Sequence, residues 1–162
     1  MYDAAIQATN ANEQAVSLGM CAAAMLEAAL REGSSVEDVL QAAVAAAKDG
    51  ETLKLVQAGI ERRNESQEEV AAALGKSCLL GSSFPCIVHA VARGEKLSYA
   101  GVIRANILAG GDSCGRGVVI GAILGALKGI GTGYGVPAAW VDATRSRQSA
   151  LMELVESCGS AT

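Results

Sequence analysis

The sequence predicts an all-α protein, a compact orthogonal helical bundle, on three observations. Apolar residues fill 51% of the 162 positions but aromatics only 3%, so small residues, alanine above all, carry the apolar count. Alanine is the strongest helix former. Helix start and stop signals recur along the chain, with Ser, Asp or Asn before apolar-periodic segments and Gly after them. No stretch shows the strict apolar–polar alternation of a half-buried strand. Because small side chains each bury little area, the helices must approach closely to make one core.

The elements follow in order. Beyond "ATNANEQ", Ala15, Leu18, Ala22, Leu26 and Leu30 recur at helical spacing up to a stop at Gly33. Ser34-Ser35-Val36-Glu37 reads as a capping box, opening a helix with Val36, Val39, Leu40 and Ala43 inward that ends near Gly50. Leu53, Val56 and Ile60 mark a shorter helix, and "ERRNES" is a polar connection. Ser66 and Glu69 form a second capping box, before a short helix stopping at Gly75. "GKSCLLGSSFP" reads as a loop. Ser83 and Pro85 suit a helix start, where the N–H that proline lacks is unpaired anyway. Ile87, Val88 and Val91 form that helix's buried stripe and Gly94 ends it. Ser98 caps a helix from Tyr99 to about Leu108, and a helix resumes at Cys114 or Arg116 and runs to Leu127. "GIGTGYGVP" reads as a flexible connection, and Pro137 opens a short helix. The chain thus divides into one domain over 1–145 and, over 146–162, an amphipathic helix (Arg147 to Val155) with a frayed tail.

Charge and composition exclude several classes. The net charge is −4 and no basic run exceeds Arg62-Arg63, which is no nucleic-acid groove. The longest apolar run, Val118 to Leu127, is broken by glycines and far short of the roughly 20 residues of a membrane span. No basic-then-apolar leader opens the chain, so a cytoplasmic protein is expected. The five cysteines, Cys21, Cys78, Cys86, Cys114 and Cys158, show no CxxC spacing and read as reduced thiols, mostly small buried hydrophobes.

Chemistry concentrates in "LAGGDSCGRGVVIG", Leu108 to Gly121. Gly110, Gly111, Asp112 and Ser113 make a turn at a helix start. There Asp112 or Ser113 either caps the helix or helps to hold an anion or a hard cation. Arg116, in the first turn, pairs with Asp112 or reaches a phosphate, and the ion pair is the reading preferred. Gly117, Gly121 and Gly125 share one helix face and read as a surface for close packing. Cys114 gains acidity from a helix N-terminus, but a thiol nucleophile needs a base. The single histidine, His89, reads as a packing residue. The glycine-rich loop lacks the lysine and Ser/Thr of a phosphate-binding P-loop.

Three segments together resemble the ADP-ribosylglycohydrolase family, in its crystallin J1-like branch. They are "LGKSCLLGSSFPCIVHAVAR" (Leu74 to Arg93), "YAGVIRANILAGGDSCGRGVVIGAILGA" (Tyr99 to Ala126) and "GVPAAWV" (Gly135 to Val141). "ATNANEQAV" (Ala8 to Val16) is similar to the family segment before a long helix. The resemblance covers nearly all of residues 5 to 141 and implies the C-terminal half of that all-α fold. Family members hold two magnesium ions in a cleft and hydrolyse the glycosidic bond joining ADP-ribose to an acceptor. Their C-terminal metal motif is Gly-Gly-Asp-x-Asp-Thr. Gly110, Gly111 and Asp112 match it and Ser113 fills the variable position; Cys114 stands at the second aspartate and Gly115 at the threonine. The resemblance therefore implies a degenerate magnesium site with Asp112 as its ligand. Gly110, Gly111, Ser113, Cys114, Arg116 and Asn106 would line the place of an ADP-ribose-type ligand. The family's N-terminal metal motif is not found, so hydrolysis by this chain alone is not expected, and the partner implied is a missing N-terminal half or a second copy. The alternative is a non-catalytic, oligomeric structural or interaction protein.

Overall fold

The computed structural model describes residues 2–144; the amphipathic segment read at Arg147 to Val155 lies outside them. The described residues form helices α1 (Tyr2–Gln7), α2 (Glu13–Ala29), α3 (Val36–Ala46), α4 (Gly50–Glu61), α5 (Gln67–Leu74), α6 (Leu80–Arg93), α7 (Tyr99–Leu108), α8 (Ser113–Lys128) and α9 (Ala138–Asp142). The all-α expectation holds, with one isolated bridge, Ile130 to Val136, as the extended pairing among them.

The bundle is wound around α6, whose residues from Ser83 to Ala92 are all buried. Leu18, Cys21 and Met25 of α2, Val39 and Leu40 of α3, Val56 of α4, Val102 of α7, and Ile120, Ile123 and Leu124 of α8 close over it in one apolar core. A smaller cluster, Val70 and Ala71 of α5 with Cys86 and Ala109, lies beside the α7–α8 corner.

Several elements differ from the sequence reading, each for a local reason. Helix α1 has no buried residue and so no stripe to predict it. It is held by Tyr2 Oη donating to Glu27 (2.9 Å) and by Ile6 lying against Gly19 of α2. Helix α2 ends at Ala29, and its buried face runs through Leu18, Cys21, Met25, Ala28 and Ala29, which leaves Leu30 exposed. Large and small residues share that face, Leu18 and Met25 with Cys21, Ala28 and Ala29. The capping box of α3 is Ser35 with Asp38, one residue beyond the expected pair, while the Ser66–Glu69 box of α5 forms as expected. Helix α3 stops at Ala46, where Ala47 turns extended, and Asp49 caps α4.

The largest difference is in α6. It begins at Leu80 with no side-chain cap, so Pro85 sits inside the helix rather than at its start. Interior proline is costly because it removes an i→i−4 bond and crowds that carbonyl. Here its own carbonyl faces Gly59 of α4: a Cβ at Gly59 would meet Val88 Cβ at 2.8 Å and the Pro85 oxygen nearer still. Gly59 is thus where α4 and α6 touch backbone to backbone. The expected glycine face of α8 does receive α7, though only Gly121, against Tyr99 Oη at 3.1 Å, is too tight for an unadjusted Cβ.

The segment 129–136 is not an open connection. Gly131 N–H donates to the Val136 carbonyl and Val136 N–H to that of Gly129, both at 2.9 Å, and Tyr99 N–H donates to the Tyr134 carbonyl at 2.9 Å. Trp140 of α9 meets Tyr99 edge-on with ring centroids 6.2 Å apart.

Candidate functional site

The α7–α8 corner is built by backbone that only glycine adopts readily. Gly110 and Gly111 have φ of +71° and +65°. A Cβ on Gly111 would overlap the Lys76 carbonyl, which accepts the Asp112 N–H at 2.9 Å. The segment after α5 therefore fixes the corner from outside. Lys76 acts there through its backbone, so no side-chain signal in the sequence announces it.

Asp112 is the N-cap of α8, its Oδ1 accepting from Gly115 N–H at 3.0 Å. This satisfies one of the orphan donors of the helix start. Gly115 lies close under the cap: a Cβ there would meet Asp112 Oδ2, so the carboxylate would have to shift.

Arg116 does not pair with Asp112, although that ion pair was the preferred sequence reading. Its side chain is fully buried. Nε donates to Asn106 Oδ1 at 2.8 Å, and Nη2 donates to the Gly110 carbonyl at 2.6 Å. Asn106 in turn donates through Nδ2 to the Ser113 carbonyl at 2.8 Å. The guanidinium fork and one amide therefore brace both sides of the turn from within. Nη1 of Arg116 has no hydrogen-bond partner. Among the described residues no carboxylate is paired with this buried cation, while the Cys86 thiol lies within its field. Burial pushes the Cys86 thiol up, and Arg116 opposes that rise.

The structure thus brings Asn106, Gly110, Gly111, Asp112, Ser113 and Arg116 into one hydrogen-bonded corner, with Cys114 exposed on its rim. It does not bring a base to Cys114. His89 is fully buried, with Nδ1 2.7 Å from Gln67 Oε1 and Nε2 3.2 Å from the Glu65 carbonyl. Among the described residues, Cys21 and Cys86 are buried, and Cys78 and Cys114 exposed.

The corner's donors do not fit magnesium. That ion takes hard oxygens in near-octahedral geometry, and the corner offers one carboxylate, already accepting a backbone N–H, beside a thiol and a glycine. Among the described residues no three His, Cys, Asp or Glu side chains gather as metal ligands. A cleft of about 320 Å³, lined by Glu13, Ser17, Asp49, Glu51 and Thr52, opens at the N-terminal ends of α2 and α4, and sequence reasoning missed it. Its Asp49 is already engaged by Thr52 N–H (2.7 Å), Thr52 Oγ1 (2.8 Å) and Ser17 Oγ (3.1 Å). These bonds hold the carboxyl below its ordinary value, the Thr52 amide most of all.

No curated protein and no solved structure matches this chain. The family model described as ADP-ribosylglycohydrolase matches residues 1–162. That match spans the helices that build the corner and the core behind it, and the chain belongs to the ADP-ribosylglycohydrolase family.

Proposed function

We propose that this chain is an ADP-ribosylglycohydrolase-family domain of the crystallin J1-like kind, corresponding to the C-terminal part of the family fold, and that its own residues do not hydrolyse ADP-ribosyl bonds by the two-magnesium route. The observation that carries this reading is the commitment of Asp112. Where the family pattern places a second aspartate and a threonine, the chain has Cys114 and Gly115, and Gly115 leaves room for Asp112 to cap α8. One carboxylate acting as a cap is a poor start for a pair of hard cations. Asn106 and Arg116 hold the corner's shape, and an ADP-ribose-type ligand would meet its rim, at Gly111, Ser113 and Cys114.

Calorimetric titration with ADP-ribose, with and without magnesium, tests the reading on the wild type and on Asp112→Ala. The expected result is heat that does not depend on magnesium in either protein. Magnesium-dependent binding that vanishes in Asp112→Ala would overturn it.

A second reading, a non-catalytic interaction protein that self-associates, draws on exposed Ile107, Leu108 and Val118, which flank the corner in sequence, and on exposed Leu79 just before α6. Exposed large apolar side chains that form a contiguous patch mark association surfaces. Sedimentation across a hundredfold (about two decades) range of concentration decides it: a constant monomer rules this reading out.

A further inference from the structure

Between α1, α2, α6 and α8 the bundle leaves a cleft of about 400 Å³. Leu18 and Ala22 of α2, Phe84 of α6 and Val119 of α8 wall it, and Ile6 of α1 bounds it. None of the lining side chains carries a charge, and Cys78 supplies a thiol. In this it differs from the acidic cleft at the start of α2, lined by Glu13, Asp49 and Glu51. Its size falls within the roughly 300–1,000 Å³ of small-molecule sites, which are mostly apolar with a few polar groups that fix orientation.

Ser83 supplies the polar group here. It lines the cleft from α6 and is only 6% exposed. A serine in a helix can satisfy its hydroxyl on the carbonyl four residues before it. For Ser83 that carbonyl belongs to Leu79 and is already crowded. It accepts the Ser82 N–H at 3.0 Å, the Ser83 N–H at 2.9 Å and the Ser82 hydroxyl at 3.0 Å. The Ser83 hydroxyl is left with no hydrogen-bond partner among the described residues. A buried hydroxyl without a partner is destabilising. The other polar side chain of the lining, Asn10, has its amide donating to Thr9 Oγ1 at 3.0 Å. An ordered water needs about two to four polar partners, which this lining does not supply well.

We propose that this cleft binds an uncharged, largely apolar small molecule with one hydrogen-bonding oxygen, of the type of a medium-chain alcohol, ester or amide. The oxygen pairs with Ser83 Oγ, and the hydrocarbon lies on Leu18, Ala22, Phe84 and Val119. Burial of apolar surface on both sides drives the association. A carboxylate would enter with no cationic side chain in the lining to meet it. Helix α1 contributes no buried residue, so the edge formed by Ile6 can yield to a guest without opening the core. The inference is independent of whether the α7–α8 corner binds ADP-ribose.

Calorimetric titration with n-octanol tests it, with octanoate at neutral pH as the charged molecule of the same chain length. The wild type is expected to show one saturable site for octanol and none for octanoate over the same range. Ser83→Ala should weaken octanol about fivefold, the worth of one net hydrogen bond. It should do so without lowering the thermal midpoint, because the hydroxyl has no partner to lose. Ala22→Leu fills the cleft and should abolish binding; Ala15→Leu, also in the lining, serves if that variant does not fold. Alkylation by iodoacetamide, followed by peptide mapping, locates the guest. Octanol should slow the reaction of Cys78 several-fold and leave exposed Cys114 unchanged. The proposal is overturned by no saturable octanol heat, by octanoate binding equally well, by unchanged affinity in Ser83→Ala or in a folded leucine variant, or by equal slowing of both thiols.

Discussion

Arg116 spends its guanidinium on holding two carbonyl-type oxygens apart across a turn. Lysine, with one ammonium, cannot reach both Asn106 and Gly110. Arg116→Lys is therefore expected to cost about 2 kcal/mol, because a buried acceptor is left unpaired; a shift in urea midpoint measures it. Asp112 and Gly115 act as a unit in the same corner. Gly115→Ala should cost about 1 kcal/mol by dislodging the cap, and should cost nothing further once Asp112 is already alanine. A double-mutant cycle in urea checks this; full additivity would show that the cap does not depend on that glycine. The sequence made these residues legible as a group, since they sit within a short stretch around two glycines. Their wiring was not legible. Whether Arg116 faces Asp112 or Asn106 turns on a rotation of one side chain, and the acceptors Asn106 Oδ1 and the Gly110 carbonyl hold it on the inner face.

Among the elements, those with side-chain punctuation were read well: Ser66 with Glu69, Ser98, and the Gly94 stop all mark ends that the structure has. Pro85 marks a later start for α6 because it looks like a first-turn residue, and the uncapped start at Leu80 leaves no polar mark. The close contact of α4 with α6 was missed for a related reason. One glycine, Gly59, makes it, whereas the conspicuous row on α8 mostly has ordinary room around it. Gly59→Ala is accordingly expected to destabilise by about 2 kcal/mol, although alanine is the better helix residue. Thermal unfolding would show this, and a rise in midpoint would mean that the two backbones are not in contact there. At the start of α5, Ser66→Ala removes an N-cap and should cost about 1 kcal/mol, also read from the urea midpoint.

For the molecule as a whole, stability is expected to decline at both ends of the pH scale for different reasons. The carboxyls of Asp38, Asp49 and Glu69 lie below their ordinary values of 3.8, 3.8 and 4.5, held by Ser35, Thr52 and Ser66 respectively. Groups of this kind add stability above their unfolded values and lose it as pH falls through the folded ones. On the alkaline side, burial pushes the Cys21 thiol from 9.0 up to about 11. The unfolded chain ionises there first, so stability should fall as pH rises from 9.0 to about 11. Cys21→Ala should flatten that decline in urea titrations at the two pH values. The all-α class was legible from composition together with the recurring helix punctuation and the lack of strand alternation. The family followed from the order of three segments. The network around His89 was not legible, because its partners lie 22 and 24 residues away in sequence and one of them is backbone.

The enclosure of α6 also gives the chain a built-in clock. Among the described cysteines, Cys86, within its buried stretch, and Cys21, in the main core, are shielded from solvent, whereas Cys78 and Cys114 lie open. A thiol reagent should modify the open pair at once and the shielded pair only as often as the bundle comes apart. The slow phase then counts unfolding events in the undisturbed protein, with the fast phase as its internal reference for reagent strength.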